Sequence, residues 1–226
     1  QGCPTVEKAM ALAVVFSAKK VYTNKDPLKV VLDKGVHEIV GDEHGRMNVT
    51  CSHITFVGKG NDQTTIRGGF EVTNQQNVKF EELALTNPDR DGLHLHGSET
   101  NVDVLKCVVK KCGATGLFVG GGATVTATQC EFMENETWGV WCQDANTKAR
   151  FTDCTLHHNG DHGLCAYGDA VVDLHGTKTD IHSNKRSGIR ANSRGKVNIH
   201  LPSQHNTTHD NVGEDRSQVN GGSIAN

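Results

Sequence analysis

At 226 residues the chain is long enough to bury one sizeable core, and 23 basic against 26 acidic residues give a net charge of −3, which excludes the basic footprint of a nucleic-acid binder. Twenty-five glycines, four prolines and only 5% aromatic residues favour an all-β chain with many tight turns over a helical bundle. No run of 18 apolar residues occurs, which argues against a membrane-inserted segment.

The first predicted element is a helix. Ala9 to Phe16 is the longest apolar stretch, Thr5 offers an N-cap, Glu7 stands in the first turn, and Lys19 and Lys20 come near the end, as in an amphipathic helix over about 5–18. The chain starts at Gln1 with neither a methionine nor a signal-peptide pattern, as a processed or a trimmed chain would. From 28 to 201 short alternations of apolar and polar residues take over, beginning with KVVLDKGVHEI (29–39) and HITFVGKG (53–60).

These alternations repeat. Glycines followed by an apolar residue stand at Gly92, Gly116, Gly139, Gly163, Gly188 and, more weakly, Gly213, in steps of 24, 23, 24, 25 and 25. Behind the first five come the pairs Leu93 and Leu95, Leu117 and Val119, Val140 and Cys142, Leu164 and Ala166, and Ile189 and Ala191, all predicted to point inward. Upstream, Val78 and Phe80, Val102 and Val104, Val125 and Ala127, Ala149 and Phe151, and Val172 and Leu174 keep the same step. A third set begins with Leu83, Cys107, Cys130 and Cys154. Three short strands in about 24 residues make one coil of a parallel solenoid whose strands stack about 4.8 Å apart. The predicted fold is therefore a single domain over 1–226: an all-β, single-stranded, right-handed parallel β-helix with an N-terminal capping helix.

Four residues before three of the glycines stand Asn135, Asn159 and Asn184, a predicted ladder of stacked amides. The cysteine column is predicted to run inward from Leu83 through Cys107, Cys130 and Cys154 to Thr177, holding reduced thiols, because side chains stacked about 4.8 Å apart are too widely spaced for disulfides. Cys3 and Cys51 are the pair most readily linked. Segment 202–226 is polar, with Val212, Val219 and Ile224 its aliphatic residues, so its end is predicted to be poorly capped and open to end-to-end self-association or to further chain. Of the sequons at Asn48, Asn135 and Asn206, the ladder residue Asn135 is a poor glycosylation acceptor and Asn206 the better one.

Between the inward pairs, two outward stripes follow from the period of two: His94, Phe118, Trp141, Cys165 and Arg190, then His96, Gly120, Gln143, Tyr167 and Asn192. Aromatic faces beside amides and a guanidinium suit a sugar chain, so Phe118, Trp141, Gln143, Tyr167, Arg190 and Asn192 are the candidate carbohydrate-binding residues. His94 and His96 share one face with Asp91 just before them, the candidates for acid–base chemistry. Neither a CxxC nor a third ligand at fixed spacing is visible, so no metal site is predicted. HHNGDH (157–162) reads as a solvated turn around Asn159. The stripes as drawn hold no carboxylate, and Asp91 and Asp161, three coils apart, are too distant to act as a hydrolase pair.

The lid helix, the phrase ITFVGKGNDQTTIRGG (54–69), the glycine-anchored strands and the asparagine ladder together resemble the right-handed parallel β-helix proteins of the pectate-lyase-like superfamily. That group includes polysaccharide lyases, hydrolases and epimerases as well as adhesive and structural proteins without activity. In its enzymes the strand face with the stripes commonly forms the substrate cleft. HLHG and GIRA match only fragments of the group's pectin-hydrolase motifs. The resemblance and the incomplete catalytic set predict a noncatalytic carbohydrate-binding or structural protein, with a polysaccharide as partner and an extracellular or cell-surface location. The alternatives are a lyase or epimerase of uronic-acid polymers with a histidine base, calcium being its possible cofactor, and a self-assembling solenoid.

Overall fold

A computed structural model describes residues 5–202, 205 and 207–226. The chain winds through three all-parallel sheets: nine strands from Leu28–Val31 to Ser223–Ala225, eight from Gly35–Glu38 to Thr208–His209, and eight from Arg46–Val49 to Arg216–Val219. Each strand pairs with its counterpart one coil away, as Asn101–Leu105 does with Val78–Glu81 and Thr124–Thr128. This is the parallel β-helix expected from the repeat.

Every one of the predicted inward pairs is buried, and one core runs the length of the coils. In the first sheet a single inward column reads Phe56, Phe80, Val104, Ala127, Phe151 and Leu174, so large and small side chains fill each other's gaps. The coils bend sharply where one residue takes left-handed backbone. Lys111, Glu134, His158, Ser183 and Asp210 do so at φ of 53 to 56°, each immediately before the ladder position.

The ladder is longer than predicted. Asn135, Asn159 and Asn184 are buried, and Asn211 joins them in the same register. Each amide oxygen accepts from the backbone and the side-chain amide of the asparagine one coil earlier, as Asn184 Oδ1 does from Asn159 N at 3.1 Å and Nδ2 at 2.9 Å. At the first coil of the run Asn135 Oδ1 accepts from Cys112 N at 3.1 Å.

Two expected positions are corrected. The cysteine column continues at Thr179, fully buried, and not at exposed Thr177, because the turn from Gly176 to Thr179 takes up two more residues. In the last coil Ile189 pairs with Arg216, so Asp215 and not Gly213 occupies the anchor position. Among the described residues Cys51, Cys107, Cys112, Cys130, Cys142, Cys154 and Cys165 are free and buried. Burial pushes the Cys107 thiol up to about 12. Cys3 and Asn206 lie outside the described residues.

The helix spans Val6–Ser17, with Thr5 Oγ1 accepting from Lys8 N at 3.2 Å. It buries Val6, Met10 and Ala13 against the first coil, and Glu7 accepts from Val40 N at 2.7 Å. No described helix is long and apolar enough to cross a membrane.

Two columns of imidazoles stand on the outer faces of the C-terminal coils. His157, His182 and His209 stack at 5.0 and 5.2 Å, and His175 and His200 at 4.3 Å. Carboxylates face them: Glu131 on His157, Asp180 and Asp210 on His209, Asp173 on His200. Burial first, then neighbouring histidines and, for His175, Arg150, hold His182 and His175 below the ordinary histidine value; hydrogen bonding to Asp210 moves His209 the other way. A base depressed in the folded state takes its proton first in the unfolded chain, so the stability it contributes is present above pH of about 6.5 and is lost as the pH falls below it. With buried His162 likewise held low by its burial, three depressed groups stand against one raised, so the thermal midpoint is expected to fall between pH 7.5 and 5.5, and to fall less in a His175→Gln, His182→Gln double variant. Equal midpoints at the two pH values in calorimetry would refute this.

Candidate functional site

The third sheet carries the outward stripes in the predicted register: His94 pairs with Phe118, Phe118 with Trp141, Trp141 with Cys165, and Cys165 with Arg190. His96 lies beside Gly120, and Gln143, Tyr167 and Asn192 follow one another. The turn residues before the anchor glycines form a wall along the first stripe. Thr115, Trp138, His162 and Ser187 each accept, through the carbonyl, from the glycine one coil earlier, and so extend the column from Asp91. Stripe and wall together make a groove along the solenoid axis.

At one end the structure joins Asp91 and His94. Asp91 Oδ2 lies 3.0 Å from His94 Nδ1, and Oδ1 accepts from Thr115 N at 3.0 Å. Burial alone would raise the Asp91 carboxyl, but the hydrogen bonds from His94 and Thr115 and the charges of His94 and Arg46 outweigh it and hold the carboxyl below its ordinary value. Ionised Asp91 accepts the Nδ1 proton, which leaves His94 Nε2 as the lone-pair nitrogen. The imidazole stacks on Phe118 at 4.3 Å and 11°. His96, two residues on, is exposed and lies over Gly121, apart from this pair.

The stripe reaches one coil further back than the glycine anchors indicated, because Glu71 pairs with His94. The expectation that the stripes carry no carboxylate is therefore corrected. Buried Arg46 lies 3.2 Å from Glu71 and 3.9 Å from both Asp91 and Asp42, so three carboxylates surround one guanidinium beside the imidazole. The signal was present in GGFEVT (68–73), where Phe70 and Val72 repeat the inward pair 23 residues before Leu93 and Leu95. Glu71 and Asp91 are both engaged by Arg46, and among the described residues no group of three or more His, Cys, Asp or Glu side chains is arranged to hold a metal ion. This corner does not present the carboxylate-rich cage that calcium takes.

Phe118 is an outward residue and yet buried, with His94 on one face and the edge of Trp141 at 5.7 Å. Glycine at 120 makes room for it: a Cβ there would meet the Phe118 ring at 3.0 Å. Trp138 was not picked out from the sequence. It stands on the wall and packs 4.5 Å from Trp141, and the two indoles divide the groove. On the His94 side is a depression of about 300 Å³ lined by Asp91, His94, Thr115, Phe118 and both tryptophans. Beyond the pair lies one of about 240 Å³ lined by Asp161, His162, Cys165, Tyr167, Arg186, Arg190 and Asn192. The sequence cluster HHNGDH is thus split by Asn159: Asp161 and His162 face the groove, while His157 and His158 belong to the imidazole column on another sheet. Gln143 hydrogen-bonds Asp144 at the edge of the stripe.

A larger depression, about 400 Å³, lies on the first sheet between Lys29, Lys79, Glu81 and Asp103. Its lining is polar without aromatic faces, and Lys79 pairs with Glu81 at 3.0 Å. Among the described residues, six buried side-chain nitrogen or oxygen atoms lack a hydrogen-bond partner; two of them, Trp138 Nε1 and Trp141 Nε1, line the groove, and a third, Asp161 Oδ1, has His162 and Arg186 within ion-pair distance. Unpaired indole N–H groups in one cleft are donors that water or a ligand can satisfy.

A family model described as right handed beta helix region matches residues 39–212. No curated protein sequence matches significantly. Among solved structures, the A-module of the mannuronan C-5 epimerase AlgE6 from Azotobacter vinelandii is similar with a TM-score of 0.55 and 13% identity, over 96% of this chain and 73% of that one. The catalytic domain of Agl-KA is similar with a TM-score of 0.51 and 14% identity, over 95% of this chain and 45% of that one. This chain therefore spans under half of the Agl-KA domain, and at these identities the likeness is one of fold.

Proposed function

From the premise that the chain belongs to the right-handed β-helix family, we propose that it binds a polysaccharide lengthwise in the groove of its third sheet. The observation that carries this reading is the tryptophan pair: two indoles 4.5 Å apart, their buried N–H groups unpaired, with a sugar-sized depression on either side. Indole faces stack on the C–H faces of sugar rings, and the freed N–H groups, Tyr167 and Asn192 offer hydrogen bonds to hydroxyls. The similarity to a structure whose name is that of a mannuronan C-5 epimerase supports a polysaccharide as the partner.

A second reading has the groove act on its ligand, and the Asp91–His94 hydrogen bond favours it. Asp91 orients the ring and holds the proton on Nδ1, so Nε2 is available to take the proton on the carbon next to a sugar carboxylate. An epimerase returns a proton to the opposite face. A lyase instead expels the neighbouring oxygen with its bonding pair, which water then protonates.

One experiment separates the readings. Neutral and acidic polysaccharides are run in affinity gels against the wild type and Trp141→Ala, with proton NMR of each mixture. Trp141→Ala is expected to weaken binding about tenfold or more. Wild-type migration unaffected by every polymer would reject the groove. Product signals that vanish in His94→Gln would establish the second reading, and their absence would leave binding alone.

A further inference from the structure

The two depressions differ in charge. The first is lined by one carboxylate, Asp91, which Arg46 and His94 engage, and by one arginine, the exposed Arg90, whereas the second holds two arginines and one carboxylate. Asp161 lies 3.4 Å from Arg186 Nε and 3.2 Å from His162 Nε2. Arg190 is different: among the described residues no carboxylate stands within ion-pair reach of it, although it is half-buried on the groove floor beside buried Cys165. Its neighbour Arg194, by contrast, forms two hydrogen bonds to Asp169 at 2.9 and 2.7 Å.

His162 does not supply a balancing charge. Its Nδ1 accepts from Ser187 N at 3.0 Å, which leaves the proton on Nε2, toward Asp161. Burial first, then Arg190 and Arg186, hold it below the ordinary histidine value. The depression therefore keeps one surplus positive charge. Taking a guanidinium half out of water without a partner is costly, and a planar fork of donors matches a carboxylate in particular. Both indole N–H groups, buried and without a hydrogen-bond partner, border the same space.

We propose that the depression around Arg190 is an anchoring subsite for the carboxylate of a uronic-acid unit, in a chain whose further length runs along the stripe toward His94. This rests on the polysaccharide reading above. His94 and Arg190 stand four strand spacings apart, about 19 Å, so one sugar cannot touch both. The anchor therefore selects acidic oligosaccharides long enough to span the tryptophan pair, and it holds a unit remote from the one beside His94.

The test measures binding by calorimetry with polygalacturonate, polymannuronate and polyglucuronate, each beside its carboxyl-reduced form, and with short and long oligomers of the tightest binder. At least one intact polymer is expected to bind about tenfold or more tighter than its reduced form. Arg190→Gln should bring that ratio to near unity, while Arg190→Lys, which keeps the charge and loses the fork, retains part of it. Short oligomers should show no loss on Arg190→Gln when they carry only the units nearest His94. A wild-type protein that binds intact and reduced polymers equally, or an Arg190→Gln variant that keeps the full preference, overturns the subsite and leaves the polysaccharide reading standing. Binding of neither form of any polymer overturns both. Since Arg190 has no ion pair to lose within the fold, a circular-dichroism melt should show the variant folded.

Discussion

Asn159→Ala is expected to cost about 3–5 kcal/mol of stability, because one truncation strands two buried donors at once. Asn159 Oδ1 accepts from Asn135 N at 3.2 Å and Nδ2 at 3.0 Å, and its own Nδ2 donates to Phe132 O at 3.1 Å and Asn184 Oδ1 at 2.9 Å. Alanine keeps the backbone turn and leaves two donors of Asn135 without their partner in a place water does not reach. Each such group costs about 1–3 kcal/mol, and the backbone bond from residue 159 to Asn184 survives. Urea denaturation of the single variants at 135, 159 and 184 and of their pairs would show it. Pairs of adjacent variants should cost less than the sum of the singles, since the second truncation removes groups already orphaned by the first. A loss below about 1 kcal/mol for Asn159→Ala would mean that the amides are not coupled.

Phe80→Ala should cost as much for a different reason and damage a different part of the chain. Its ring stacks on Phe56 at 5.3 Å and 10° and meets Phe70 at 4.8 Å, and all three are fully buried. Replacing a buried phenylalanine by alanine removes its transfer energy and leaves a cavity, about 3–5 kcal/mol together. In a solenoid each coil is held mainly by its neighbours, so the loss should fall on the coils that share the cavity. Hydrogen exchange is expected to speed in Leu28–Val31, Ile54–Val57 and Gly69–Thr73 while Leu164–Tyr167 stays protected. Uniform acceleration along the chain would show instead that the coils unfold as one unit.

The fold was legible because the period-two alternation and the glycine spacing survive in every central coil. The inward pairs from Val78 onward needed only that spacing, and all are buried. Legibility failed where a turn changed length. The shift from Thr177 to Thr179 and from Gly213 to Asp215 both follow added turn residues, which keep the strands in register while moving the count. The groove floor was readable for the same reason as the core, since outward residues alternate with inward ones. Its wall was not: Trp138 and His162 sit in turns, where no period announces which way a side chain points. Likewise Arg46 meets Glu71, 25 positions on, and Asp91, 45 positions on, so their meeting depends on the stacking itself.

Because the groove adds one floor residue and one wall residue with each coil, its length is counted in whole graduations, like a ruler. A duplicated or deleted coil between two ladder asparagines would lengthen or shorten the span from His94 to Arg190 by one strand spacing, about 4.8 Å, without altering depth or width. Ligand length and ligand chemistry are therefore separate variables in this architecture: the number of coils sets the first, and the side chains at the two ends set the second.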